Sequence, residues 1–322
     1  MRRRRGREPV RHRLRWLSRG PQEEAVARSD AVRTELVAVV VAVEGMPRVL
    51  TTSGYPLQLP AGPLRDDHRS MQAGLRAWVE EQTGLRLGYV EQLYTFADRD
   101  RARDGSGRMI SVSYLGLTWL VNADLERWVS WYDLFPWEDQ RDDGAARAAL
   151  EPHLRAWVEE AETDRRAVRC GVTFGLDGRE WLPELALQRY EVLYEAGLVP
   201  ESPDWRAVLP PEVSGPWMLH DHRRIVATGV ARLRAKIQYR PVVFELMPPE
   251  FTLGQLQACV EAIAGQHVHK QNFRRIVEQQ LLVEETGGTS SETGGRPARL
   301  FRFRREILDE RAAGGTKLPR GR

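Results

Sequence analysis

Apolar residues in the first third of the chain fall into short blocks, and the spacing within each block predicts a strand or a helix. An unbroken run from Leu36 to Val43 predicts a buried strand, and a second strand follows after a Gly-Met-Pro turn. The predicted elements, in order, are strands 36–43 and 48–52, an extended bend 57–64, a helix 70–82 and strands 89–96 and 110–121. This order is typical of a mixed α/β layered domain and argues against a doubly wound sheet.

A tryptophan-rich segment from Trp128 to Pro216 interrupts this pattern. Helical spacing predicts helices over residues 150–161 and 185–196, and Gly197 with a proline-rich run ends the second. We expect this insertion to pack on the layered domain and to help dimerisation. A base-stacking pocket is the alternative for its aromatic rings, although tryptophan in a globular domain more often lies in the core.

Helical periodicity returns after residue 220 and continues through three predicted helices. The first, a linker helix over residues 221–237, has apolar positions that pack either on the preceding domain or on a partner helix: Ile225, Val226, Val230 and Leu233. The second begins with a capping box, Thr252 and Gln255, and is broken by Gly265. The third begins at Lys270, and its largely apolar face carries Phe273, Ile276 and Val277 together with Gln280.

A hairpin is predicted after the third helix. Residues 281–283 lead through a Gly/Ser/Thr-rich loop, 286–295, to an alternating strand, 299–304, with its arginines on one side. Two helices followed by such a hairpin predict a winged helix. The residues expected to contact DNA are Lys270, Gln271, Asn272, Arg274, Arg275, Arg299, Arg302 and Arg304, because amides pair with adenine and guanidinium groups with guanine or phosphate. The alternative is a helical module whose basic hairpin contacts protein.

The distribution of charge supports contact with nucleic acid more than the net charge of +3 does. Residues 1–19 carry nine arginines against one acid, residues 20–219 carry a net −12, and residues 220–322 a net +7. A domain that repels phosphate is therefore flanked by two segments that attract it. We expect residues 1–30 to be a disordered basic arm, either an unstructured extension or a minor-groove contact, and residues 306–322 to be a tail.

Cysteine usage and hydropathy indicate the cellular compartment of the protein. Only Cys170 and Cys259 are present, far apart and without metal-ligand spacing, which favours a reducing compartment. No apolar run approaches the ~20 residues of a membrane span. We expect a cytoplasmic protein with no membrane contact and no bound metal.

The segment from Gly62 to Leu85 resembles the Nudix signature, in which a glycine-bearing loop precedes a helix that ends in Arg-Glu-apolar-x-Glu-Glu. Anchoring the signature on Gly84 places Leu75 and Val79 in phase but puts Ala77 at the arginine, Trp78 at the first glutamate, and Glu81 and Gln82 at the glutamate pair. Anchoring on Gly62 restores Arg76, Glu80 and Glu81, yet leaves Ala77 at the first glutamate. The resemblance implies a degenerate metal site, because its carboxylates hold divalent cations one helical turn apart. Glu80 and Glu81 are alternatively solvated helix residues.

The wider pattern is similar to that of the Nudix-related transcriptional regulators, and within them to the alphaproteobacterial type that regulates NAD biosynthesis. The matching blocks are residues 90–96 with 110–115, 220–225 and 240–246. This resemblance implies an α+β protein, with a Nudix-like α/β/α sandwich over residues 31–219 and a linker helix plus winged helix over residues 220–305. It also implies a homodimeric repressor on an inverted-repeat operator, controlled by an effector such as NAD, ADP-ribose or ATP, with no cofactor.

Candidate effector contacts are Glu81, Tyr94, Phe96, Arg101 and Arg108. For the two arginines the alternative is local pairing with the aspartates of residues 98–104. Two rival functions stay open: an active Nudix hydrolase acting on ADP-ribose, and an adaptor whose winged helix binds protein.

Overall fold

The computed structural model describes residues 32–97, 108–120, 125–161, 163–290, 297–304 and 306. The predicted basic arm, Arg101 of the polar loop and most of the predicted tail lie outside this part of the chain. No helix among the described residues combines the length and the apolar character that crossing a bilayer requires.

Within its described residues, the first half of the chain forms a mixed six-stranded sheet. Its strands are β1 (Val32–Glu44), β2 (Met46–Leu50), β3 (Ala61–Pro63), β4 (Tyr89–Phe96), β5 (Arg108–Leu117) and β6 (Trp128–Ser130). They lie in the order β4-β5-β1-β2-β6, with β3 against β1. The predicted hairpin is present, with Glu44 opposite Met46 across Gly45, which adopts φ +66°. The parallel pairing of β1 with β5 along their length was not predicted from the sequence.

Helices cover both faces of this sheet, which confirms the predicted α/β/α arrangement. On one face lies α1 (Met71–Thr83), where Leu75 and Val79 are fully buried against alternate residues of β1. The opposite face of β1 joins a much larger core that includes the insertion and the C-terminal helices. Because every second residue of a strand points to the same side, the continuous apolar run in β1 supplies both cores.

Helices, with the 3₁₀ turns included, make up more than half of the insertion. It contains α2 (Trp131–Leu134), α3 (Ala145–Glu159), α4 (Arg165–Phe174), α5 (Ala186–Glu195) and α6 (Pro211–Ser214), with short 3₁₀ turns at Pro136–Glu138 and Pro183–Leu185. A further 3₁₀ turn, Leu125–Arg127, immediately precedes the insertion. Helices α3 and α5 confirm the two predicted ones, and α4 was not predicted. Five of the insertion's tryptophans are core residues: Trp128, Trp131, Trp137, Trp157 and Trp181. Packing therefore accounts for these rings, and the stacking-pocket alternative fails for them.

The linker helix α7 (His222–Ile237) is embedded in the large core. Its four predicted apolar positions are at most 1% exposed, and Gly229 packs so closely on β1 that an added Cβ would lie 2.9 Å from Val39. These side chains pack against other parts of the same chain, which removes the alternative that they face a partner helix. The helix is thus a structural part of both halves of the molecule.

The C-terminal unit consists of a 3₁₀ turn (Val242–Leu246), α8 (Leu253–Ala264), α9 (Lys270–Gln279) and a hairpin of β7 (Val283–Ser290) and β8 (Ala298–Phe303). Phe251 exchanges both backbone hydrogen bonds with Phe301, which attaches the chain before α8 to the hairpin. Phe303 stacks on Phe244 with ring centroids 4.2 Å apart. The predicted winged helix is therefore confirmed.

Candidate functional site

Local sequence signals set both ends of α8. The Thr252 hydroxyl accepts from the Gln255 backbone N–H at 3.1 Å, and the Gln255 side chain accepts from the Thr252 N–H at 2.7 Å. This reciprocal pair is the predicted capping box. At the other end, Gly265 adopts φ +69°, a left-handed conformation that favours glycine and ends the helix.

An acidic residue fixes the turn between α8 and α9. The Glu261 carboxylate accepts from the Val268 backbone N–H at 3.0 Å and from the Gln257 amide at 2.9 Å. Burial would raise the pKa of this carboxyl, but those two hydrogen bonds and His267 lower it below its usual value. Glu261 is not among the candidates from the sequence, although an acid in the last turn of a helix opposes the helix dipole and so signals a specific contact.

Helix α9 presents a polar surface to solvent. Only Val277 is buried, and all five polar residues predicted to contact DNA are exposed: Lys270, Gln271, Asn272, Arg274 and Arg275. The Arg275 guanidinium donates to Asn272 Oδ1 at 2.8 Å and to Gln279 Oε1 at 3.0 Å, which orients it along the helix. The predicted apolar face is narrower than expected, because Ile276 is 39% exposed.

The arginines of the hairpin do not all lie on one side, which corrects the sequence-based expectation. Strand alternation puts Arg302 and Arg304 on one face and Arg299 on the face of Phe301, where the two phenylalanines of β8 turn toward the core. Arg299 pairs with Glu285 and Arg302 with Glu284, all of them largely exposed. Such exposed pairs are weak, so both guanidinium groups remain able to exchange a carboxylate for a phosphate.

In the segment that resembles the Nudix signature, the structure supports the register anchored on Gly84. That glycine ends α1 in a left-handed conformation (φ 74°), and Leu75 and Val79 face the core as this register requires. In this register Trp78 stands at the position of the first glutamate of the signature. Its ring lies against Gly62, where an added Cβ would come within 2.2 Å of it, and its indole N–H donates to the Pro63 carbonyl at 3.0 Å.

The remaining polar residues of this helix have structural partners. The Gln82 amide both donates to and accepts from the Ala61 backbone, Glu80 pairs with Arg86, and Glu81 lies 4.0 Å from Arg65. Within the described residues, no three His, Cys, Asp or Glu side chains are grouped to hold a metal ion.

A cleft of about 570 Å³ lies between the start of β1 and the start of α1. Its polar walls include two arginines and a histidine, Arg33, Arg65 and His68, against one carboxylate, Asp66, together with Ser70 at the N-terminus of α1. Arg108, a predicted effector contact, is the β5 residue paired with Val32 of this wall. Arginine, histidine and a helix N-terminus together suit an anionic group such as a phosphate.

The five predicted effector residues are not brought together. Arg108 adjoins the cleft, and Glu81 is connected to it through Arg65, whose guanidinium also stacks 3.8 Å from the Trp78 ring. Arg101 lies outside the described residues. Tyr94 is exposed on β4, with its ring 4.9 Å from that of Phe96.

Phe96 corrects the prediction most clearly, since it is 2% exposed and belongs to the core on the α7 side of the sheet. The physical reason is a register shift between Gln92 and Thr95, which puts Leu93 and Phe96 on the same face although strict alternation would separate them. The Arg224 guanidinium of α7 lies 5.4 Å from the Phe96 ring.

Comparisons with known proteins agree with this architecture. Residues 243–303 match the family model of the NrtR DNA-binding winged helix domain. The chain is 40% identical over 89 residues to the ADPR responsive transcriptional repressor NtrR of Acinetobacter baylyi. That match covers 28% of this chain and 35% of the relative, so the chain aligns with about a third of the curated protein.

Two solved structures have a similar fold. The structure of Shewanella oneidensis NrtR complexed with a 27mer DNA matches with a TM-score of 0.50 and 19% identity, over 86% of this chain and 95% of that one. A MutT/nudix family protein from Enterococcus faecalis matches with a TM-score of 0.50 and 15% identity, over 86% and 89%. The chain therefore has a Nudix-like fold followed by a winged helix domain that matches the NrtR model, which confirms the predicted domain order. The resemblance to the alphaproteobacterial type stays a prediction that these comparisons do not test.

Proposed function

We propose that the chain, whose residues 243–303 form an NrtR-type winged helix, is a transcriptional repressor controlled by a nucleotide. The observation that carries this proposal is the exposed surface of α9, which presents amide and guanidinium side chains to solvent. This helix is part of the segment that matches a DNA-binding family. Helix residues of these types read base edges in the major groove. The repressor acts in the cytoplasm as a homodimer on an inverted repeat, with NAD biosynthesis genes as the expected targets.

The proposed effector is an adenine nucleotide with a diphosphate group, with ADP-ribose placed before NAD and ATP. Two observations support this choice. The basic cleft beside Arg108 offers cationic side chains and a helix N-terminus to phosphate oxygens. The curated relative from Acinetobacter baylyi carries ADP-ribose responsiveness in its name.

We predict that the Nudix-like domain does not hydrolyse ADP-ribose. Trp78 and Gln82 occupy two signature positions where carboxylates hold metal ions, and both make the structural contacts described above. Incubation with ADP-ribose and Mg²⁺ or Mn²⁺ should therefore give turnover no faster than a protein-free blank. The matched control is an active Nudix hydrolase assayed in parallel. A rate of ~1 s⁻¹ or more would contradict the prediction and favour the hydrolase alternative.

The whole proposal is tested by selecting DNA from a random library with the full-length chain at fixed salt. Enrichment of one sequence, followed by a change in its affinity when ADP-ribose, NAD or ATP is added, is the expected result. Titrating salt separates phosphate contacts from base contacts, because only the former depend steeply on ionic strength. No enrichment above an unrelated protein of the same net charge would favour the adaptor alternative.

A further inference from the structure

A fully buried ionic cluster lies where the insertion, α7 and α8 meet. Glu138 is 1% exposed, and Arg189 of α5 and Arg234 of α7 have side chains that are 0% exposed. Arg189 donates to both carboxylate oxygens of Glu138, at 2.7 and 2.9 Å, and Arg234 pairs with the second of them. Burial alone would raise the pKa of this carboxyl, but the two guanidinium groups lower it, so Glu138 is ionised.

The cluster extends directly into the helix-turn-helix. Arg234 Nε donates to the Ile263 carbonyl of α8 at 2.8 Å. The Tyr132 hydroxyl donates to the neighbouring Ala262 carbonyl at 2.6 Å, and the Gln140 N–H donates to the Gly265 carbonyl at 2.8 Å. The last carbonyls of a helix have no partner within the helix and attract cations. Here residues from outside the winged helix satisfy them.

The approach at this junction is too close for a side chain at position 265. An added Cβ on Gly265 would lie 2.4 Å from the Glu138 carbonyl oxygen and 2.9 Å from the Tyr132 hydroxyl. The anchored carbonyls come immediately before the turn that Glu261 fixes, and α9 begins at Lys270. Any displacement of the end of α8 is therefore passed to the start of the DNA-facing helix.

We propose that Arg234, held by Glu138, is a positioning residue for DNA recognition. It fixes the angle of α8, and through the turn that of α9, relative to the Nudix-like domain, without touching DNA. This inference rests on the proposed function. Small tilts would be enough: for illustration, a tilt of about 5° over a helix of ~18 Å moves one end by roughly 1.6 Å, more than the spread of about 0.5 Å in ordinary hydrogen-bond lengths.

The test compares two buried arginines of α7. Arg234→Met removes the anchor and leaves Glu138 paired with Arg189. Arg223→Met is the matched control, because Arg223 is equally buried and pairs with Glu201, while its carbonyl partners, Leu134 and Ser214, precede α7. Both substitutions remove a buried guanidinium and lower the thermal stability. Affinities are measured well below the melting temperature, on DNA selected with the wild-type chain.

The expected result separates positioning from stability. Arg234→Met should lower the affinity for the selected sequence at least about tenfold, a change of ~1.4 kcal/mol. Its affinity for unrelated DNA and for ADP-ribose should be unchanged, since the charges of α9 and the cleft are retained. Arg223→Met should leave all three affinities unchanged. Equal losses in the two variants, or no loss in Arg234→Met, would overturn the proposal.

A milder variant covers the case in which Arg234→Met does not fold. Tyr132→Phe removes only the hydroxyl that anchors Ala262 and should lower the affinity for the selected sequence several-fold; an unchanged affinity would count against the proposal. Failure of the wild-type chain to select any DNA would instead refute the proposed function, so the two failures are distinguishable.

Discussion

Replacing Gln271 by alanine should lower the affinity for the preferred DNA sequence by ~1–3 kcal/mol, roughly 5- to 150-fold, and should relax specificity at one base pair. Gln271 lies in the first turn of α9, where recognition helices contact base edges, and its side chain is exposed. Arg274→Ala, one turn further along, should behave differently if the guanidinium contacts phosphate. It should weaken binding to all sequences alike and reduce the slope of log affinity against log salt concentration by about one.

The two variants are compared by binding to the selected sequence and to a set of single-base changes, at several salt concentrations. Gln238→Ala is the control, because it removes the same amide from an exposed position at the end of α7, outside the DNA-facing helix, and should change affinity by no more than about 0.5 kcal/mol. Sequence-independent losses of equal size for Gln271→Ala and Arg274→Ala would show that α9 does not read bases.

Inserting half a helical turn, about 5 base pairs, between the two halves of the operator should reduce binding to the level of a single half-site. Two linked sites gain 10²–10⁴ in affinity only when both engage at once. A flexible linker between the two domains would allow the DNA-binding units to follow the change in phase. The linker helix α7 is not flexible in this sense, because its apolar side is buried against β1 and α8 packs on its C-terminal end. Each protomer should therefore hold its recognition helix at a fixed distance and rotation.

The control for this experiment inserts a full turn of DNA, which restores the phase and changes only the separation. Mass in solution is measured at micromolar concentration with and without DNA. Undiminished binding to the half-turn operator, or a monomer under both conditions, would exclude the dimeric mechanism while leaving the winged helix reading unaffected.

Sequence reasoning succeeded where the determining contacts are local. The capping box of Thr252 and Gln255 and the glycine at position 265 gave both ends of α8, because each signal acts within one helical turn. It failed for α4, whose valines at positions 168 and 172 are 54% and 43% exposed, so that its apolar spacing does not mark its buried side. It also misplaced Phe96, since nothing in the local sequence marks the register shift in β4.

Buried charged residues were the feature hardest to predict from the sequence. Arg189, Arg223 and Arg234 are fully buried, although arginine usually lies on a protein surface. Arginine is also the predominant basic residue along the whole chain, so its presence at a position carries little information. The carboxylate partners of the three buried arginines are 51, 22 and 96 residues away, separations that no periodicity encodes. The same holds for the cleft, whose Arg33 and Arg65 come from two elements that are adjacent only in the folded sheet.

The central strand has a consequence during synthesis on the ribosome. Residues 36–42 are all fully buried, one side of β1 under α1 and the other in the core that includes α7. About 180 residues of chain separate this run from the start of α7. At ~5–20 residues per second, one side of the run stays uncovered for roughly 10–35 s on the nascent chain. An uncharged, β-branched stretch of this kind is prone to intermolecular pairing, so we expect the nascent chain to depend on chaperones until α7 has emerged.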